Sequence, residues 1–300
     1  MAVYFSLYKI QVVIPLLLAY LIYLYLDPTP EMGGRQSKWF RNLALWRNMR
    51  DYFPARLVKT AELDPSKNYV FGYHPHGIIG LGAFINFGTD ANSFTSMFRG
   101  ISVHLLTLDA NFFIPLARDV LLFLGICSAS QKSCNNILTM QPGSSIMIVL
   151  GGAQESTLAF PNTNGLILKK RFGFVKIALA NGASLVPVFS FGENDIWDQL
   201  PNPKGSMLQK FQDFTRKTLT FVPPAIYGRG LFSEGFGLMP HRRPITSVVG
   251  APIECPKVEN PSRELVLEYQ LKYIQALENL YHEHKHKYLP NRVEELKFVE

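Results

Sequence analysis

The sequence predicts an α/β fold, a sheet covered by helices on both faces, carried behind an N-terminal membrane anchor. Three observations point there. Four short apolar runs, Tyr69–Tyr73, Ser145–Leu150, Leu185–Phe191 and Ile245–Val249, each end at Gly, Pro or polar residues, as buried strands do. Between the second and third, Phe174–Asn181 has a helical pattern stopped by Gly182, and such alternation builds a sheet layered between helices. Ahead of all of them, Ile10–Leu26 is almost purely apolar.

That first stretch extends back to Val3 if Lys9 and Gln11 are tolerated. Seventeen residues are about the minimum to cross a ~30 Å hydrocarbon core at ~1.5 Å per residue. Pro15 leaves a re-entrant hairpin open, while Tyr20, Tyr23 and Tyr25 offer no small-residue cleavage site. An uncleaved anchor over residues 1–30 is expected, followed by one domain over 31–300. Arg35, Lys38, Arg41, Arg47 and Arg50 follow the anchor and only Lys9 precedes its core, so the domain should face the cytosol.

Within that basic stretch Trp39, Leu43, Trp46 and Phe53 recur at helical spacing, which suits either the headgroup layer or the protein's own core. Leu105–Ile126 is strongly apolar but broken by Asp109, Asn111, Pro115, Arg118 and Asp119; it dips into the leaflet or belongs to the core. Pro187 argues that the third strand lies at an edge or carries a bulge. The last long helix starts at Ser262, a good N-cap followed by Glu264, and runs to about Tyr288 with an apolar stripe of Val266, Tyr269, Tyr273, Leu277 and Leu280.

Composition narrows the class. Hydrophobic residues at 47% and aromatics at 13% of 300 residues are too apolar for an ordinary soluble enzyme and too polar for a multi-span transporter. A membrane-bound enzyme with one catalytic domain fits. The charge of +7 suits an anionic membrane or a polyphosphorylated substrate. Nucleic acid is not expected, since no zinc-finger spacing, RNA-binding motif or dense basic helix occurs. Cys127, Cys134 and Cys255 form neither a disulfide framework nor a metal pair.

His282-Glu283-His284-Lys285-His286 matches a zinc-protease pattern. Helical phase, however, puts His282 and His286 opposite the apolar stripe, and no third ligand follows. No metal site is expected. Neither a Walker A loop nor a correctly spaced dinucleotide fingerprint is present, so no ATP or NAD is implied.

Two strand ends carry chemistry. Tyr69–Tyr73 runs into His74-Pro75-His76-Gly77, where a rigid sheet would display an imidazole as general base. Pro75 fixes its own φ and restricts His74, so the two rings need not point the same way. Ile146–Leu150 runs into Gly151-Gly152-Ala153-Gln154-Glu155-Ser156, placing a carboxylate beside glycines whose N–H groups suit an oxyanion. Lys169-Lys170-Arg171 leads into the Phe174 helix and suits phosphate.

Together these segments resemble the type 2 diacylglycerol acyltransferase family, which includes monoacylglycerol acyltransferases and wax synthases. The resemblance runs from about Leu26 through Gly33-Gly34-Arg35, Asp51-Tyr52-Phe53-Pro54, His74-Pro75-His76-Gly77, Gly151-Gly152-Ala153-Gln154-Glu155 and Arg171-Phe172-Gly173-Phe174. It continues through Leu185-Val186-Pro187, Phe191-Gly192-Glu193-Asn194, Gly228-Arg229-Gly230 and Arg242-Arg243-Pro244-Ile245. It implies a glycerophosphate-acyltransferase-like sheet and an enzyme of the endoplasmic-reticulum membrane and lipid droplets. Such an enzyme esterifies diacylglycerol, monoacylglycerol or a fatty alcohol from acyl-CoA, a co-substrate, with no cofactor. An oligomer is compatible with this, as is, from a different class, a non-catalytic lipid carrier on the same fold.

Distant glycerophosphate acyltransferases use His-X4-Asp, but here Leu81 stands five residues after His76. The orienting carboxylate is therefore expected from Glu155. The resemblance implies His76 as general base with His74 in support, and Pro75, Gly77, Gly151, Gly152, Lys169, Lys170, Arg171, Glu193 and Asn194 at the substrates. Family members often carry a longer apolar hairpin, so one span and a hairpin both stay open.

Overall fold

The computed structural model describes residues 2–200, 205–207, 209–210, 214–215, 225–230 and 236–299. Its first element, α1 (Ala2–Leu26), is one continuous helix with Pro15 inside it, about 37 Å long at ~1.5 Å per residue. It does not fold back as a hairpin. Among the described residues this is the one helix long and apolar enough to cross a membrane, and the rest of the chain buries almost none of it.

The basic stretch forms two short helices where a single one was predicted. Ser37 caps α2 (Lys38–Arg41) by accepting the Phe40 N–H at 3.3 Å, and α3 (Ala44–Tyr52) follows after Asn42-Leu43. The two tryptophans part company. Trp46 is buried against Phe40 and Phe84, whereas Trp39 is 74% exposed.

The body then alternates. In order come β1 (Arg56–Lys59), β2 (Tyr69–His74), α4 (Leu81–Ala83), α5 (Phe94–Met97), β3 (Ser102–Thr107), α6 (Ala117–Leu124), β4 (Cys127–Ser128), α7 (Gln131–Leu138), β5 (Ser144–Val149), α8 (Gly152–Ser156), β6 (Gly165–Leu166), α9 (Gly173–Asn181) and β7 (Ser184–Phe191). After the short strands β8 (Asp198–Gln199), β9 (Ile226–Arg229) and β10 (Phe236–Gly237) come β11 (Thr246–Val249), the long helix α10 (Arg263–Tyr288) and β12 (Lys297–Phe298).

The main sheet has the order β1-β11-β7-β2-β5-β3-β4. The last five strands of that order run parallel, and β11 joins β7 antiparallel with β1 parallel to β11. Strand β2 lies between β5 and β7 and is buried along its whole length. Its residues alternate between two cores, as the pleat requires. Tyr69, Phe71 and Tyr73 pack with Trp46, Ala83 and Phe94 on one face, while Val70 packs with the α7, α9 and α10 side chains on the other. Gly182 ends α9 in the left-handed region at φ +65°, as expected of a C-terminal glycine.

Three sequence expectations resolve in detail. Pro187 lies in an interior strand, so the edge placement is overturned. The bulge is real: Val188 faces Val249 but Leu185 faces Ile253, three steps along β7 against four along its partner. The missing N–H of Pro187 falls at that irregularity, where its carbonyl still accepts the Gly250 N–H at 2.8 Å. The Leu105–Ile126 stretch divides between β3, a 3₁₀ turn at Asp109–Phe113 and α6. Leu105, Phe112, Leu122 and Ile126 join the core while Leu108, Phe113, Ile114 and Leu116 stay outside it. In α10 the Ser262 hydroxyl caps the Leu265 N–H at 3.2 Å, and His282 and His286 are exposed as their helical phase required.

Arg118 fastens α1 to the body. Its guanidinium is 1% exposed, reaches Asp27 at 2.6 Å and donates to the carbonyls of Leu24 and Phe112 at 3.1 and 3.2 Å. Arg35 holds the same Asp27 oxygen at 2.9 Å. A buried charge is stable only with such partners.

Gly72 shows how closely α10 approaches the sheet. The Tyr273 hydroxyl donates to the Gly72 carbonyl at 3.0 Å, and a Cβ on Gly72 would stand 2.1 Å from that oxygen. Gly72→Ala should lower stability by about 1–3 kcal/mol. In a Tyr273→Phe background, where the nearest ring carbon stands at 2.9 Å, the added cost should be smaller. Thermal unfolding of the four chains of that cycle measures the coupling, and strict additivity would disprove the contact.

Candidate active site

The carboxyl ends of the parallel strands bring the predicted segments together. In open α/β sheets this edge forms the ligand crevice. The turn after β2 (residues 74–77) sits between the turn after β5 (150–155) and the turn after β7 (192–195).

Glu155 ties the first two turns together. It is 2% exposed. One carboxylate oxygen accepts the His76 N–H at 2.6 Å and the other the Ile167 N–H at 2.7 Å. Glu155 thus holds the backbone of His76 and not its ring, a different route from the predicted carboxylate–imidazole contact. Burial raises the Glu155 carboxyl to about 7, against the two N–H donors and the nearby Arg171 guanidinium, which pull it down.

The ring of His76 is set by a second contact. Its Nδ1 lies 3.0 Å from the Gly77 carbonyl. A carbonyl only accepts, so Nδ1 carries the proton and Nε2 keeps its lone pair. Burial lowers the imidazole's pKa, which favours the neutral ring, and the residue remains partly exposed.

His74 has the opposite arrangement. It is fully buried, and its Nε2 lies 3.1 Å from the Tyr273 hydroxyl. That hydroxyl spends its one proton on the Gly72 carbonyl, so Nε2–H of His74 is the donor. Burial pushes this imidazole down to about 3. The two histidines of one motif therefore differ in setting: His74 packs against Tyr273 of α10, whereas His76 lies in the turn beyond β2 with its ring on the Gly77 carbonyl.

Glu193 lies beneath the turn. It is fully buried and accepts from the Tyr73 hydroxyl at 2.7 Å, the Gly82 N–H at 3.0 Å and the Ser190 hydroxyl at 3.3 Å. Its carboxyl is raised to about 7 by burial, with those donors opposing. Glu193 is packed as a strut: a Cβ on Gly77 would lie 2.7 Å from Glu193 Cγ, and one on Gly82 2.2 Å from the Tyr73 hydroxyl. Asn194 donates to the Thr163 carbonyl at 2.9 Å, and with Pro75 and Thr163 it lines a cavity of about 10 Å³, room for about one water.

Of the basic trio, Lys169 and Lys170 are exposed. Arg171 reaches back to the Gly151 carbonyl at 2.9 Å, which draws the start of α9 toward the glycine turn. Gly151 is required sterically: it has φ +94°, and a Cβ would meet the Glu155 carboxylate at 2.3 Å. Gly152, at φ +65°, faces open space apart from Arg171 at 4.0 Å.

Sequence reasoning missed Tyr273 and Tyr73. Both lie on apolar faces and read as core. The available signal was chemical, since a buried tyrosine hydroxyl usually finds a partner.

A parallel sheet whose carboxyl edge gathers the histidine, glycine and carboxylate turns is the arrangement of an enzyme that works at that edge, and the comparisons give its class as a lipid acyltransferase. The diacylglycerol acyltransferase family profile matches residues 5–299, and the chain belongs to that family. It is similar to "Diacylglycerol O-acyltransferase 2" of Dictyostelium discoideum, 50% identical over 91% of this chain and 84% of that one. It is also similar to "2-acylglycerol O-acyltransferase 1" of Bos taurus, 48% identical over 91% and 82%. A third relative is "Acyl-CoA wax alcohol acyltransferase 1" of Homo sapiens, 44% identical over 95% and 87%. Among solved structures, the 1-acyl-sn-glycerophosphate acyltransferase PlsC of Thermotoga maritima aligns with 86% of this chain and 81% of its own, at 10% identity and TM-score 0.48.

The two raised carboxyls have a pH signature. A carboxyl held above its ordinary 4.5 binds its proton more tightly folded than unfolded. Its contribution is therefore full below about pH 4.5 and lost as pH rises to about 7. Relative to a Glu193→Gln chain, the native chain should lose stability across that interval. His74, shifted downward, acts in the opposite sense in both chains and cancels in the difference. Parallel unfolding curves for the two proteins would show that Glu193 ionises normally.

Proposed function

We propose that this protein is an acyl-CoA:diacylglycerol O-acyltransferase in which His76 is the general base. The observation that carries the reading is the ring of His76. It favours the neutral form, is held through Nδ1 by the Gly77 carbonyl, and keeps a lone pair on Nε2 at the carboxyl edge of the sheet.

The chemistry needs little more. Acyl-CoA is an activated thioester, so no ATP and no covalent intermediate is required. Nε2 takes the proton of the acceptor hydroxyl as its oxygen attacks the thioester carbonyl. The C–S bond then breaks, and the thiolate of CoA recovers the proton from the imidazolium. Backbone N–H groups at Gly77 or Gly151-Gly152 take the oxyanion in this reading. The His76 N–H is already committed to Glu155. Lys169, Lys170 and Arg171, on the strand-end turn leading into α9, supply cations for the CoA phosphates. His74 and Glu155 act as positioning residues, one from behind the strand and one through the backbone.

The acceptor is a membrane lipid, so the anchor fits a lateral supply. An acyl chain passing from bilayer to apolar tunnel gains almost nothing, unlike the ~0.8 kcal/mol per methylene for leaving water. The enzyme resides in the endoplasmic-reticulum membrane with its body cytosolic, and from there can reach lipid droplets. The relatives' names span three acceptors, so the acceptor is part of the test.

Membranes containing the protein should be given labelled oleoyl-CoA with diacylglycerol, monoacylglycerol or a fatty alcohol. Triacylglycerol should be the main product. His76→Ala should lower turnover by about 10²–10⁴-fold with expression and membrane attachment unchanged. Retained activity in that variant overturns the base assignment. Absence of product with every acceptor overturns the enzyme and favours a lipid carrier.

A further inference from the structure

The geometry points to a second membrane contact, separate from α1, formed by the stretch from the end of β3 through α6. This inference rests on the reading of α1 as a bilayer anchor and adds to it a surface of the body. Leu108, Phe113, Ile114, Leu116, Val120 and Phe123 are 53%, 56%, 51%, 78%, 39% and 42% exposed. They belong to one short stretch, and each keeps more than a third of its surface open among the described residues. An exposed apolar cluster of this kind marks an interaction surface.

Three observations identify the bilayer as its occupant. The first is continuity with the anchor. The same segment supplies Arg118, which holds Asp27 and the Leu24 carbonyl at the end of α1, and Asp119, which lies 3.5 Å from Arg35. The patch therefore begins where the anchor leaves the membrane.

The second is its polar rim. The Ser37 N–H donates to the Phe123 carbonyl at 2.9 Å, and the Phe40 and Phe123 rings stand 5.7 Å apart. These contacts set α2 beside α6 and place Trp39, 74% exposed, with exposed Lys38 at the margin. Tryptophan and lysine flanking an apolar face are typical of an interfacial element.

The third is backbone strain. Leu116 has φ +65° and ψ −45°, a conformation that a leucine rarely adopts. The chain holds its most exposed patch side chain outward at that strained point.

The location has a functional meaning. The segment follows the carboxyl end of β3, and His76 follows the carboxyl end of β2, with only β5 between them. At ~4.8 Å per strand the two strand ends are about 10 Å apart. The edge that carries the proposed base therefore faces the leaflet.

The test uses the full chain in vesicles of phosphatidylcholine and phosphatidylserine with brominated acyl chains. Cys255→Ser removes the partly exposed cysteine, since Cys127 and Cys134 are buried. A polarity-sensitive fluorophore is then placed on Leu116→Cys, on Leu18→Cys in α1, or on Leu271→Cys, a 66% exposed site on α10. Emission at 116 and 18 should fall relative to unbrominated lipid, as expected for side chains buried at the headgroup and acyl boundary or deeper, and emission at 271 should not change. Quenching at 18 without 116 overturns the second contact and leaves the anchor standing. Quenching at neither overturns both. Quenching at all three indicates unspecific adsorption and overturns the assigned surface. Blue-shifted emission at 116 that depends on protein concentration but not on bromination assigns the patch to a second copy of the chain, which also overturns the proposal.

Discussion

The active edge depends on one buried carboxylate with no oxygen to spare. Glu155 receives a backbone N–H from the turn after β2 and another from the segment after α8, so two loops that are 79 and 12 residues away in sequence share one clamp. Charge-assisted hydrogen bonds of this kind are short and strong, while burial works against the ionised form. The compromise leaves the carboxyl near neutrality. Gly151 must be glycine because the clamp occupies the volume a Cβ would need, and Arg171 gathers the same turn from outside. Glu193 repeats the design one strand over, holding Gly82 and Tyr73 under the histidine turn.

The two histidines divide the labour because a strand end has two faces. His74 is the last residue of β2 and inherits its alternation, so its ring enters the layer of α10 and meets Tyr273. His76 lies beyond the strand and escapes that constraint. Opposite tautomers follow from the neighbours: a hydroxyl with its proton already committed on one side, a backbone carbonyl on the other.

Much of this was legible in the sequence. The four apolar runs are all strands of the main sheet, because buried strands in a sheet covered on both faces carry few polar interruptions. Strand β1 was not legible: its four residues include Arg56 and Lys59, and only pairing with β11, nearly two hundred residues away, makes it a strand. His74-Pro75-His76-Gly77 stood out because Pro and Gly after an apolar run mark a strand end. Glu193 did not reveal its place, since a carboxylate in a turn ordinarily reads as solvated, and its partners Tyr73 and Gly82 look like core and loop. The Leu105–Ile126 run resisted a single label because it is amphipathic by segment. Its apolar residues are shared between the interior and an outer face.

The fastening of α1 to the body has a mechanical meaning. A flexible tether would let the domain swivel and bob above the lipid. Arg118 and Arg35 both grip Asp27, and Gly34 lies so close to the Leu122 carbonyl that a Cβ there would stand at 3.2 Å. These contacts oppose both bending and twisting at the joint. The helix is a mast whose azimuth is keyed to the sheet, and that key is written in the few residues between Leu24 and Arg35.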